Sequence, residues 1–174
     1  AGLAAPPGAQ PEAMLRQAGA ALRAAIAGMR ALLIARADVK REFRIEQTML
    51  RAAGNNPLKF AATDDAALLA LLAGKPGPQA VEETVADLTS HELATLAATQ
   101  AAARALLARL SPERIESAEQ GGGLFGGREK RLWEAYRRLH SQVTEQFEDD
   151  FDSAFGREFA RAYEQVARRD GGRR

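Results

Sequence analysis

From Pro11 the apolar residues keep a helical spacing for about 40 residues with no further proline, and that run constrains the fold more than any other feature. Pro11 suits a first helical position, where its missing N–H costs nothing. Positions seven apart read Leu15, Leu22, Met29, Arg36, Phe43 and Leu50, with Ala18, Ala25, Leu32, Val39 and Glu46 three residues after the first five. A strict seven-residue repeat drifts against a straight helix by roughly 20° per heptad, so the spacing predicts a bundle helix supercoiled left-handedly around its neighbours. The two charged positions in the stripe, Arg36 and Glu46, are expected to be solvated. Composition points the same way. Alanine supplies more than a fifth of the 174 residues, valine is scarce and aromatic residues make up 6%, so helix is favoured and an all-β fold is excluded.

The rest of the chain reads as further helices. Ala53-Gly54-Asn55-Asn56-Pro57 stops the first one, because Gly and Asn tolerate the left-handed closing conformation and Pro57 pushes Asn56 out of the helical region. Leu58-Lys59-Phe60 crosses back, with Leu58 and Phe60 expected to anchor it to the core. Thr63 or Asp64 caps a short helix, Asp65 to Ala73, whose Leu68, Leu69, Leu71 and Leu72 predict wide burial. Gln79 to Leu110 forms the second long helix, with Val81, Val85, Leu88, Leu96, Ala103, Leu106 and Leu110 as its expected core series. Ser111-Pro112-Glu113 starts a short helix to about Glu119. Gly121 to Gly127 is a glycine-rich loop carrying Leu124 and Phe125, without the strand or Lys-Ser context of a phosphate cradle. The last helical region places Leu132, Tyr136, Leu139 and Val143 on one face. Phe147, Phe151, Phe155, Phe159 and Tyr163 then recur every four residues, a series that turns through about 160° on an ideal helix, so a break is expected at Gly156. The fold is therefore all-α: a helical bundle of three long helical regions, two short helices and the glycine-rich loop. Residues 1–11 (AGLAAPPGAQP) read as the remnant of an interdomain linker, 12–167 as a single helical domain and 168–174 as a disordered basic tail.

The search for chemistry excludes more than it finds. With no cysteine there is no disulfide scaffold, thiolate zinc site or cysteine nucleophile, and the chain fits a reducing compartment. The longest nearly uninterrupted apolar run, Ala66 to Ala73, is far below the roughly 20 residues of a membrane helix, so no transmembrane segment is expected. A formal net charge of +1 argues against a general nucleic-acid binder. His91 and His140 sit in no His-Glu-x-x-His pattern, and His91 is read as a helix-facing hydrogen bonder, with Asp87 as a possible partner. Glu145, Glu148, Asp149, Asp150 and Asp152 lie within a helical period and read as a solvated face rather than a calcium loop. No serine occupies a Gly-x-Ser-x-Gly elbow. A non-enzyme without metal or cofactor is expected.

What remains are candidate partner surfaces. Arg36, Lys40, Arg44 and Arg51 fall along one strip of the first helix, with Arg41 beside it and then Lys59. Such a strip suits an acidic partner, while Asp38, Glu42 and Glu46 nearby support a merely solvated face. Trp133 stands off the Leu132-Tyr136-Leu139 face, where an exposed Trp would anchor an interface. Leu124 and Phe125 are either an anchor tucked on the bundle or a binding tip.

Lys40-Arg41-Glu42-Phe43-Arg44-Ile45-Glu46-Gln47-Thr48 followed by Asn55-Asn56-Pro57-Leu58-Lys59-Phe60 resembles the C-terminal domain of type VI secretion system-associated FHA-domain proteins. His91-Glu92-Leu93-Ala94, Leu132-Trp133-Glu134-Ala135-Tyr136 and Glu158-Phe159-Ala160-Arg161-Ala162-Tyr163-Glu164 fit it in order. The resemblance implies a cytoplasmic accessory protein, recruited to an inner-membrane-associated secretion apparatus, that acts in assembly and in threonine-phosphorylation control. For this helical part it implies a scaffold or protein-interaction domain, whose partners are secretion components or a second copy of the chain. Phosphopeptide reading belongs to the FHA domain, which nothing in these residues resembles. A helical dimeriser that makes an attached FHA domain bivalent is the alternative, and an effector or metal-dependent enzyme a remote one. Phe43, Asn55, Asn56, Pro57, Leu58 and Phe60 of the matching block have structural work available to them, whereas Lys59, Arg41 and Arg44 have none in the sequence and lead the candidate surface.

Overall fold

The structure, a computed structural model, describes residues 8, 10–45, 56–74, 77–119, 127–149 and 153–171, with side chains placed except at 147–149, 170 and 171. It is all-α, with seven helices and no strand among these residues: α1 (Pro11–Glu42), α2 (Pro57–Phe60), α3 (Asp64–Ala73), α4 (Gly77–Arg109), α5 (Pro112–Ala118), α6 (Arg128–Asp149) and α7 (Ala154–Gly171). The chain divides into two compact units, Ala1–Ala37 with Thr48–Thr89, and Asp38–Gln47 with Ser90–Arg174.

The first unit is closed by capping and by arginine. Asn56 caps α2 through the Leu58 N–H and Pro57 takes the first position, while the Thr63 hydroxyl accepts the Ala66 N–H to start α3. Ile26 of α1 meets Leu58, Ala67, Leu68, Leu71 and Ala80, with Met29 and Leu33 packed alongside. Arg30 ties this core to α2 and α3: its Nε lies 2.6 Å from Asp64 Oδ1, and its terminal nitrogens donate to the carbonyls of Leu58 and Ala61. Arg23 pairs with Asp65 beside it. By length and composition α1 could cross a membrane, although the uninterrupted run in the sequence is short. Its Arg23 and Arg30 are instead engaged by α3, and its Ile26 is fully buried in protein. At the start of α4 only glycine fits at position 77, because a Cβ there would stand 2.5 Å from the Leu71 carbonyl oxygen.

Several sequence expectations are corrected here. The seven-residue stripe of α1 is not the buried edge, since Leu15, Leu22 and Leu32 are exposed. Ile26, Met29, Arg30 and Leu33 follow the ordinary 3.6-residue period of a helix crossing short partners. The helix also stops at Glu42, well before Gly54. Phe43 and Arg44 form a turn in which Arg44 takes φ 46°, and residues 46–55, with Glu46, Leu50, Arg51 and Asn55, lie outside the described residues. α3 is buried on one face only, leaving Leu69 and Leu72 each 66% exposed, and Phe60 is 62% exposed rather than a core anchor.

The second unit is built on small residues meeting rings. Ala94, Ala98 and Ala102 of α4 are buried every four residues, and Phe159 and Tyr163 of α7 fill the space they leave, with Ile45 as the remaining buried member. Phe43 stacks on Phe159 at a centroid distance of 3.8 Å. The break before α7 comes earlier than Gly156, at Ser153, whose hydroxyl accepts the Gly156 N–H at 3.0 Å. Phe155, Phe159 and Tyr163 thus share one helix. α7 continues to Gly171, so Arg168 and Arg169 are helical, and Arg168 pairs with Glu164. In α6, Leu132, Tyr136, Leu139 and Val143 form the half-buried stripe the spacing predicts. The glycine-rich loop, with Leu124 and Phe125, lies outside the described residues apart from Gly127.

Candidate functional site

The basic strip does not run as one line. Arg36 and Lys40 are half-buried on α1, and the Arg36 Nε is buried without a hydrogen-bond partner among the described residues. Arg41 is exposed and pairs with Asp38 at 3.0 Å, one turn earlier on its own helix. Arg44 lies beyond the helix end in its left-handed turn.

Lys59 has a structural role that the sequence hid. Its Nζ lies 2.7 Å from Glu83 Oε1 and 2.5 Å from Asp87 Oδ2, both on α4. Burial alone would push the ammonium pKa down, but the hydrogen bonds to Asp87 and Glu83, and their charges, outweigh it and hold the pKa above lysine's ordinary value. Asn56, itself buried, stands beside this cluster and donates to the Ala80 carbonyl at 3.0 Å and to Thr84 Oγ1 at 3.2 Å. Asn56 and Lys59 therefore clasp α2 to α4, so Lys59 has structural work in the fold. Lys59→Met should lower the stability of the chain by about 1–2 kcal/mol at neutral pH, since two part-buried carboxylates lose their cation. A raised folded-state pKa contributes stability that is whole below the unfolded value and is lost as pH rises through the folded one. The gap between wild type and Lys59→Met, read from urea midpoints, should stay level from pH 7 to pH 9 and narrow only above about 10.4. A gap that closes below pH 9 would contradict the clasp.

The two histidines lie in different surroundings. His91 is buried, with its Nδ1 2.8 Å from the Tyr163 hydroxyl oxygen, a partner 72 positions away that local spacing could not reveal. His140 lies on the exposed face of α6, its ring tilted against Tyr136. No group of three or more His, Asp or Glu able to hold a metal occurs among the described residues. Of the acidic series only Glu145 has a described side chain, and it is exposed. Trp133 is exposed on α6 as its position off the stripe predicts, with its ring stacked on Tyr136 at 5.5 Å.

The apolar surface that the sequence reading missed is on α4. At 100° per residue, buried Ala94, Ala98 and Ala102 span an arc of about 80°, while Leu93, Leu96 and Leu107 span about 60° on the nearly opposite edge. Those three leucines are 60%, 59% and 70% exposed. The expected core series is corrected accordingly: Val85, Leu96 and Ala103 are exposed and Val81, Leu88, Leu106 and Leu110 only half-buried. The signal available in the sequence was the four-residue spacing of alanines, which lets an aromatic helix approach closely. Large aliphatic side chains gathered on a solvent-facing helix edge make this edge a candidate surface.

The family model described as the C-terminal domain of Type VI secretion system FHA protein matches residues 1–166. No curated protein and no solved structure matches the chain significantly. The match spans α1 to α6 and nearly all of α7, including both clusters of buried residues. With that coverage, the chain belongs to the family of C-terminal domains of type VI secretion system FHA proteins.

Proposed function

We propose that the chain is a non-catalytic protein-interaction domain that joins components of the type VI secretion apparatus, on its cytoplasmic side, during assembly and its threonine-phosphorylation control. The observation that carries this reading is the outer edge of α4, where Leu93, Leu96 and Leu107 face solvent while alanines take the core. Burying such an edge against a partner stabilises a complex at about 25 cal/mol per Å² of apolar area before the costs of association. Exposed Trp133 and Arg41 add an aromatic anchor and a cation on the same chain.

The test is capture of secretion components from a type VI-bearing bacterium by the tagged chain and by its Leu93→Glu/Leu96→Glu variant. Secretion components should be retained by the wild type and lost from the variant, whose urea midpoint should stay within about 0.5 kcal/mol of wild type because both side chains are exposed. Equal retention by the two would overturn the α4 edge. Light scattering distinguishes the dimeriser reading: a mass of twice 18.7 kDa for the wild type and 18.7 kDa for the variant would make a second copy the occupant of that edge.

A further inference from the structure

Among the described residues, the first unit leaves more large apolar side chains exposed than it buries. Ile26, Leu58, Leu68 and Leu71 are the large members of its core, whereas Leu15, Leu22, Leu32, Ile34, Leu69 and Leu72 are exposed. The shortfall is greatest at the start of α1, where every residue from Pro11 to Ala25 is exposed. That stretch is an arm about 22 Å long, running up to Ile26, the first buried residue of the helix. A helix of such length is marginal in water unless an apolar face of it is packed. At 100° per residue, Leu15 and Leu22 share an arc of about 60° with Ile26, Met29 and Leu33, so the arm carries the packed stripe of α1 outward into solvent. Ala18 and Ala25 lie beside the two leucines, and such small residues let a second helix approach closely.

The charges of the arm indicate what covers it. Glu12, Arg16 and Arg23 fall within an arc of about 40° along one border of the stripe, acidic at the start of the arm and basic further on. A second arm laid antiparallel about a two-fold axis meets this border with its own border reversed. Glu12 of each copy then stands against Arg23 of the other, Leu15 packs beside Leu22, and Ala18 lies near the axis. Arg23 already pairs with Asp65, and its guanidinium presents enough N–H donors for both carboxylates. A parallel pair would set Glu12 on Glu12 and Arg23 on Arg23, which costs energy. An anionic bilayer would attract the arginines but repel Glu12 and the Asp64 and Asp65 that pair with Arg30 and Arg23.

We infer that two copies of the chain associate through antiparallel α1 arms, with Leu15 and Leu22 as the apolar contacts and two Glu12–Arg23 pairs fixing the direction. This surface uses none of the residues of the α4 edge, so either can fail without the other.

The test is light scattering of the 174-residue chain across a concentration series. The mass should rise from 18.7 kDa toward twice that value with a micromolar dissociation constant, since the arms overlap over only about two heptads. Leu15→Glu/Leu22→Glu should associate roughly tenfold or more weakly, yet unfold in urea as cooperatively as wild type because both side chains are exposed. Glu12→Arg and Arg23→Glu should each associate roughly fivefold or more weakly alone, and an equimolar mixture of the two should recover wild-type affinity. Because the chain has no cysteine, Ala18→Cys should form a disulfide with its own counterpart under mild oxidation, whereas Ala25→Cys, placed against Glu12 of the other copy, should not. A mass fixed at 18.7 kDa up to millimolar concentration, no recovery in the mixture, or equal cross-linking at positions 18 and 25 would each overturn the pairing. So would a dimer lost in Leu93→Glu/Leu96→Glu but kept in Leu15→Glu/Leu22→Glu. Binding of an 18.7 kDa monomer to phosphatidylglycerol vesicles, abolished by Leu15→Glu/Leu22→Glu, would assign the arm to a bilayer and overturn it as well.

Discussion

Phe159→Ala should lower the unfolding free energy by about 3–5 kcal/mol, the usual cost of emptying a large aromatic site in a packed core. Phe159 is 3% exposed and stands between Phe155 and Tyr163 on α7, 6.3 Å from each ring, with Phe43 stacked on it. Its removal unseats a ring that the alanine edge of α4 cannot replace, since Ala94, Ala98 and Ala102 each carry only a fixed methyl group that cannot swing into the void. Against a typical stability of about 5–15 kcal/mol, such a loss is a large part of the total. Phe60→Ala is the matched control. That ring is mostly exposed, so the same truncation should stay within about 0.5 kcal/mol. Urea midpoints of the two variants measure the contrast, and near-equal losses would contradict the assignment of these two rings to core and surface.

Asn56→Ala should cost about 2–4 kcal/mol. Part is the helix cap, since the Asn56 side-chain oxygen accepts the Leu58 N–H at 3.0 Å. The remainder is the pair of buried bonds from its amide nitrogen to the Ala80 carbonyl and to Thr84 Oγ1. Asn56→Asp separates the two contributions. The carboxylate keeps the cap but cannot donate, and it stands against Glu83, so most of the loss should persist. Recovery of wild-type stability in Asn56→Asp would show that the cap alone matters.

Legibility in the sequence followed where the determinant was local. Thr63 and Ser111 cap the helices they precede, Pro57 and Pro112 sit at first helical positions, and the half-buried stripe of α6 falls on Leu132, Tyr136, Leu139 and Val143. Each of these depends on residues within about a turn or two of one another. Long-range determinants were not legible. The end of α1 lies at Phe43 and Arg44 with no glycine to announce it, and Phe43 is held there by Phe159 from the far end of the chain. Lys59 was read as a surface cation because Glu83 and Asp87 lie 24 and 28 positions away along the sequence.

The misreading of α4 has a single physical cause. Ranking apolar residues by size assigns the leucines to the core, but the buried edge of a helix is set by how closely its partner approaches. α7 supplies the volume with rings, so α4 supplies the space with alanines, and the leucines remain exposed. The same inversion sets the leucine edge beside the basic strip as a candidate surface, with Trp133 and Arg41 exposed among the described candidates from the sequence.

The inversion itself is tested most directly by urea unfolding of Ala98→Leu and Leu96→Glu side by side. Ala98 is fully buried against α7, so the larger side chain should overpack the core and cost about 1–3 kcal/mol, whereas Leu96→Glu should change stability by less than about 0.5 kcal/mol. A silent Ala98→Leu together with a strongly destabilised Leu96→Glu would place the leucines in the core and remove the partner surface.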